Sequence, residues 1–276
     1  MEHQELYENI SRRTGGTIYI GVVGPVRTGK STFIKRFMET LVLPNIDNVY
    51  RRERAKDELP QSGSGRTIMT SEPKFVPEEA AEIALSGSAS CRVRLVDCVG
   101  YLVDGALGHT EDDEPRMVST PWSDTPIPMA QAAELGTRKV ITDHSTIGLV
   151  ITTDGSFTDI PRSDYQPAEE RVIQELSTLE KPFLVLVNSA DPQGPAAQEL
   201  CTSLAQRYDI TVRAINCLTM QPADMENILR DILYEFPVRE VGIVLPSWIN
   251  TLPAGHRVQE AVYSGIRAQA EHIGRM

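Results

Sequence analysis

The run Gly24-Pro25-Val26-Arg27-Thr28-Gly29-Lys30-Ser31 places two glycines, a lysine and a hydroxyl residue at the spacing GxxxxGK[ST]. The glycines let backbone N–H groups turn inward with no Cβ in the way. A helix beginning at Lys30 would aim its first-turn amides and its dipole at the same anion. Lys30 has the reach for the outer phosphates of a polyphosphate, and the Ser31 hydroxyl suits a divalent cation. Together these residue types can grip a nucleoside triphosphate with Mg²⁺. The candidate nucleotide-binding set is Gly24, Arg27, Thr28, Gly29, Lys30, Ser31 and Thr32.

A second constellation lies at Asp97-Cys98-Val99-Gly100, a DxxG pattern closing the apolar run "LVDCVG". An aspartate at a strand end beside a phosphate loop is placed to hold Mg²⁺, and the Gly100 N–H to sense a γ-phosphate. Between the two stands "RTIMTSEP", where the chain resembles the translation-factor-like branch of phosphate-loop GTPases. The resemblance implies a threonine that closes on the metal and the γ-phosphate. Thr70 is the expected sensor, with Ser71 and Thr67 as alternatives. The catalytic set is then Lys30, Thr70 and Asp97, and the metal set Ser31, Thr70 and Asp97.

GTPases of that branch read guanine with NKxD, but this chain has Asn188-Ser189-Ala190-Asp191. Without the lysine stem against the base, guanine selectivity should weaken, so ATP is the expected nucleotide. Asp191 can still accept from guanine and keeps GTP open. Asn188 and Asp191 are the candidate base-side residues. Tyr101 stands where many relatives have a water-orienting glutamine, which it cannot copy. Slow intrinsic hydrolysis is expected unless Arg27, Arg138 or an arginine of a second subunit assists.

These residues need a strand before the phosphate loop and a helix after it. "TIYIGVV" (17–23) reads as a buried strand, and apolar residues at helical spacing follow from Lys30 to Leu43, closed by Pro44. Residues 45–66, with the basic cluster Arg51 to Lys56, read as a long loop, and so does the polar excursion 101–145. "CRVRLVDCVG" reads as a strand. Beyond it, strands at 146–153, 182–188 and 210–216 alternate with helices at 165–180, 194–208 and 222–236. Such alternation predicts an α/β fold of the P-loop NTPase, GTPase-like kind: a mostly parallel sheet with helices on both faces. The expected division is a nucleotide-binding domain over 1–236 and the start of a C-terminal appendage over 237–276, with a helix in "HRVQEAVYSGIRAQAEHI".

Twenty-seven basic against 38 acidic residues give a formal charge of −11. That balance disfavours nucleic acid or an anionic membrane as a partner through bulk charge. The four cysteines show no metal or disulfide spacing, as expected for free thiols in a reducing cytoplasm. No window suits a membrane span, so no direct insertion is expected.

The strings "GPVRTGKSTFIKRFMETLVLPNI", "SGSGRTIMTSEPKFVP", "LVDCVGYLV" and "DGSFTDIPRSDY" resemble the stage IV sporulation protein A family of endospore-forming bacteria, along essentially the whole chain. The family's usual pair of threonines is Thr70-Ser71 here. The resemblance implies an ATPase that uses ATP and Mg²⁺ to drive its own polymerisation into the basement layer of the spore coat. It further implies a mother-cell cytoplasmic location at the outer forespore surface. As partners it implies copies of itself, other spore coat morphogenetic proteins and a small membrane-associated anchor peptide. Members are longer than 276 residues, so a truncated chain that turns over nucleotide without polymerising is expected. The alternatives are a regulatory GTPase with an external activator and a nucleotide-bound scaffold without hydrolysis.

Overall fold

The computed structural model describes residues 16–60, 73–84, 90–106, 108, 110–111, 114–238, 241–253 and 255–270. Strand β1 (Thr17–Val23) leads through the phosphate loop into helix α1 (Lys30–Phe37), which continues as a π turn over Met38–Val42 and a 3-10 turn over Leu43–Asn45. Helix α2 (Val49–Asp57), strand β2 (Lys74–Ala84) and strand β3 (Ser90–Asp97) follow. Two small hairpins, β4 (Thr110–Glu111) with β5 (Glu114–Pro115) and β6 (Met117–Thr120) with β7 (Ser123–Pro128), precede α3 (Met129–Lys139). Then β8 (Ile147–Thr153), α4 (Arg162–Thr178), β9 (Phe183–Asn188), α5 (Pro195–Tyr208), β10 (Val212–Ile215) and α6 (Pro222–Tyr234) alternate.

Six strands form one sheet in the order β10-β9-β8-β1-β3-β2. All neighbours run parallel except β2, which lies antiparallel on β3 at the edge. Every residue of β8 and β9 is buried, so these strands are covered on both faces. Packed beneath the sheet are Val23, Val150, Tyr165, Ile173, Leu176 and Val187. This is the α/β, GTPase-like architecture that the alternating pattern predicts.

Two expected loops are corrected. Residues 45–66 contain α2, so the basic cluster Arg51 to Lys56 is helical: Asn48 caps it by accepting from the Arg51 N–H at 3.1 Å. The excursion 101–145 carries α3 and both hairpins, and α3 buries Met129, Ala132, Ala133, Gly136 and Thr137. Pro44 sits within the 3-10 turn, seven residues past the last residue of α1.

The chain divides into units Met1–Ile232 and Leu233–Met276. In the second, α7 (Ser247–Asn250) and α8 (Arg257–Ala270) are tied by Tyr263 Oη donating to Asn250 Oδ1 at 3.0 Å and Gln259 Nε2 donating to the Ile249 carbonyl at 3.1 Å. Among the described residues no helix is long and apolar enough to cross a membrane.

Candidate functional site

The strand order reverses at β1, with β3 on one side and β8 on the other. Open α/β sheets bind ligands at the carboxyl ends of strands around such a reversal. Register brings the candidate residues to that edge. Val22 pairs with Asp97, Val23 with Val150, and Thr153 with Asn188.

The loop from Gly24 to Ser31 is held in a shape few side chains tolerate. Gly24 has φ 134°, and a Cβ there would lie 2.3 Å from the Ile151 carbonyl oxygen. Gly29 has φ 97° and would meet Asn188 Nδ2 at the same distance. Arg27, half-buried, takes φ 66°, a left-handed conformation unusual for a residue with a side chain. Thr28 is fully buried and donates its hydroxyl to the Pro25 carbonyl at 3.0 Å. The loop is also stitched to the chain after β3: Val26 N–H donates to the Tyr101 carbonyl at 2.8 Å and Tyr101 N–H to the Gly24 carbonyl at 3.3 Å.

Helix α1 starts from Gly29 with no side-chain cap and no acidic residue in its first turn. Its leading N–H groups have no partner within the helix, and its dipole makes that end positive. An anion is the natural complement. Lys30, only 5% exposed, rests its ammonium on the Pro25 carbonyl at 2.6 Å and the Gly24 carbonyl at 3.3 Å. Burial lowers its pKa, while Cys98 and Asp97 nearby oppose that shift. Ser31 donates its hydroxyl to Asp97 Oδ2 at 3.3 Å, and Thr32 is half-buried beside it.

Asp97 Oδ1 is buried and has no hydrogen-bond partner. Burial pushes the Asp97 carboxyl up to about 6, with Lys30 and the Ser31 hydroxyl pulling the other way. An orphaned carboxylate oxygen next to a serine hydroxyl suits a hard divalent cation. Ser31 and Asp97 therefore fit Mg²⁺. Thr70, Thr67 and Ser71 lie outside the described residues.

Gly100 has φ 93°, and a Cβ there would lie 2.2 Å from the Gly24 carbonyl oxygen and 2.5 Å from Lys30 Nζ. Only glycine permits that approach. Its N–H, expected to face a γ-phosphate, donates instead to Thr137 Oγ1 on α3 at 3.1 Å. Tyr101 is turned away from any water-handling role. Its ring is buried in the core and its hydroxyl donates to Glu175 Oε2 of α4 at 2.5 Å. Arg171 lies over the ring at 4.5 Å and is ion-paired with both Glu175 and Glu134. Burial raises the Tyr101 pKa, with the hydrogen bond to Glu175 next in weight. Arg138, the other candidate finger, is exposed on α3.

At the end of β9, Asn188 donates through Nδ2 to the Thr28 carbonyl at 2.9 Å and accepts at Oδ1 from Cys217 N–H at 3.0 Å. It thus joins the phosphate loop to the turn after β10. Asp191 is exposed on a loop fixed by Ala190 N–H to Ser156 Oγ (2.8 Å) and Asp191 N–H to Ser189 Oγ (3.1 Å). Thr137, Glu134, Arg171 and Glu175 had not been singled out in the sequence. Arg171 and Glu175 fall in the helix expected over 165–180 and Glu134 and Thr137 in the excursion read as a loop, and residue type alone carries no pointer from either to the DxxG loop.

The fold is of the GTPase-like α/β kind, with a glycine-rich loop between its first strand and first helix. Residues 1–237 match the family described as Stage IV sporulation protein A, ATPase domain, and the chain belongs to that family. It is 52% identical over 276 residues to "Stage IV sporulation protein A" of Bacillus subtilis (strain 168) and 51% identical over 276 residues to that of Bacillus anthracis. To the Clostridioides difficile (strain 630) protein it is 50% identical over 274 residues. The matches cover 99 to 100% of this chain but 56% of each relative, so the chain spans a little over half the length of the curated relatives it matches. A solved variant of SsGBP aligns at TM-score 0.44 and 15% identity, over 85% of this chain and 60% of its own.

Proposed function

We propose that this chain binds ATP with Mg²⁺ at Gly24 to Ser31 and hydrolyses it to ADP and phosphate, within a longer protein that polymerises into the basement layer of the spore coat. Polymerisation and the forespore location rest on family membership. The nucleotide chemistry rests on one observation above the others. The uncapped, acid-free start of α1 lies beside an orphaned Asp97 oxygen hydrogen-bonded, through its twin, to Ser31. A triphosphate would complete the first and a divalent cation the second.

In this reading the first-turn amides of α1 bind the phosphates, and Lys30 leaves its two loop carbonyls for them. The ammonium is strengthened there, because the site is buried and a charged acceptor makes the stronger hydrogen bond. Ser31 and Asp97 would hold the metal, which when bound would supply positive charge against the phosphoryl oxygens. Gly100 presents its N–H to the terminal phosphate. Asn188 keeps the loop in register with the base side, where Ser189 in place of a lysine supports adenine over guanine. Self-association, coat partners and an anchor peptide belong to the same proposal, with the mother-cell cytoplasm as its setting.

A second reading, nucleotide bound without turnover, draws support from Tyr101, whose hydroxyl is committed to Glu175. Phosphate release with ATP and with GTP at equal concentration separates the readings. Steady release from ATP that disappears in Lys30→Ala is the expected result. Tight binding without release would favour the scaffold, and a strong preference for GTP a regulatory GTPase.

A further inference from the structure

Thr137 is a wholly buried threonine near the end of α3, and its hydroxyl is used in an unusual way. A helical threonine commonly returns its proton to the carbonyl one turn back. Here Oγ1 accepts from Gly100 N–H at 3.1 Å and donates to Cys98 Sγ at 3.7 Å, and Cys98 in turn donates to the Val22 carbonyl at 3.4 Å. One hydroxyl thus ties α3 to the DxxG loop and, through the thiol, to the end of β1. Gly100 lies directly against Lys30: a Cβ on it would fall 2.5 Å from Nζ. An N–H in that position cannot be left unpartnered without cost, so whatever it bonds competes with any phosphate reaching the same ammonium.

We propose that Thr137 is the residue through which this chain discriminates triphosphate from diphosphate. It holds the Gly100 N–H while no terminal phosphate is present, and a γ-phosphate must take that N–H from it. A diphosphate leaves the bond intact. Triphosphate binding therefore carries the cost of breaking it, and the break loosens α3 from the DxxG loop while the bond from Thr137 to Cys98 Sγ remains. Another tie of α3 is Glu134, one turn earlier, ion-paired with the Arg171 that covers Tyr101. The first tie ends on Gly100 and Cys98, and the second reaches Tyr101 through Arg171 of α4, so α3 is the element that registers the state of the terminal phosphate. This inference rests on the reading of Gly24 to Ser31 as a triphosphate site.

The test titrates the full chain, in Mg²⁺, with ADP and with the β,γ-imido analogue of ATP, for wild type, Thr137→Val and Thr137→Ser. Valine keeps the shape but leaves Gly100 N–H without an acceptor in both the free and the diphosphate states. Affinity for the imido analogue should rise about three- to tenfold while that for ADP stays within about twofold. Serine should restore the wild-type ratio. Wild type that binds neither nucleotide would defeat the site reading and this inference with it. Wild type that binds both, with a valine variant whose ratio is unchanged or lower, would overturn the role of Thr137 alone. Should the valine variant not fold, amide exchange in the unmodified chain decides: residues 129–139 should exchange faster with the imido analogue than with ADP, and equal rates overturn the proposal.

Discussion

Lys30 and Asn188 are both buried polar side chains at the carboxyl edge of one sheet, and they are employed in opposite ways. Lys30 sits on the carbonyls of Pro25 and Gly24, acceptors within its own loop, and Asp97 beside it keeps one oxygen without a partner. Asn188 bonds backbone groups from two distant segments, the Thr28 carbonyl and the Cys217 N–H. The phosphate side thus holds groups whose best partner is a ligand, at some cost to the folded chain. The base side holds groups whose partners are the fold itself. Substitutions should consequently move stability in opposite directions on the two sides.

The largest effect is expected at Asn188. Asn188→Ala removes two buried hydrogen bonds and leaves the Thr28 carbonyl and Cys217 N–H unpaired, which should cost about 3 kcal/mol in urea unfolding. ATP and GTP affinities should fall together, because the loop that loosens carries phosphate and not base contacts. A variant as stable as wild type would end the comparison, since Asn188 would then be no staple.

Asp97→Asn should act with the other sign. Folding raises this carboxyl from 3.8 to about 6, mainly by burial. A raised carboxyl favours the fold fully below about pH 4, and that contribution is lost as pH climbs through about 6. Without nucleotide or metal, wild type should lose on the order of 3 kcal/mol between those limits, a loss the asparagine variant escapes. Unfolding curves at about pH 4 and about pH 8 measure it: the gap should open at the higher pH in favour of Asp97→Asn. The same variant should lose Mg²⁺-dependent stabilisation by ATP. A destabilised variant at pH 8 would mean that Asp97 is paired in a way the orphaned Oδ1 does not suggest.

Which parts were legible in the sequence follows the same physics. Strands β8 and β9 are buried on both faces and read as unbroken apolar runs, and α6 carries an amphipathic stripe, so these three are predicted within a few residues; the helical pattern from Lys30 to Leu43 covers α1 and the π turn that continues it. Strand β2 escapes, because an edge strand has one hydrogen-bonded neighbour and "KFVPEEAAEIA" mixes proline and glutamates into it. Helix α2 is polar nearly all round, with Ala55 its one buried residue, and such a helix looks like a loop. Helix α3 buries Ala132, Ala133 and Gly136, residues too small to register as an apolar face. In the site, spacing alone exposes Gly24 to Ser31 and Asp97 with Gly100. The bond from Gly100 to Thr137 and that from Tyr101 to Glu175 span 37 and 74 residues, and only the folded chain sets such contacts.

The smallest effect should come from Asp191, the remaining base-side candidate, which separates a reader of the base from a support of the fold. Its carboxylate is exposed although its loop is pinned by Ser156 and Ser189 hydroxyls, so Asp191→Ala should change stability by less than about 0.5 kcal/mol. Its only consequence should be at the base. A carboxylate accepts from the N–H donors of guanine, whereas adenine offers no matching pair, so residual GTP affinity should drop several-fold and ATP affinity stay put. Competition between the two nucleotides for the wild-type and Asp191→Ala chains reads this directly. An equal loss for both would make Asp191 a second Asn188, holding the loop and not the base, and the division between the two sides would then run between phosphate and everything else.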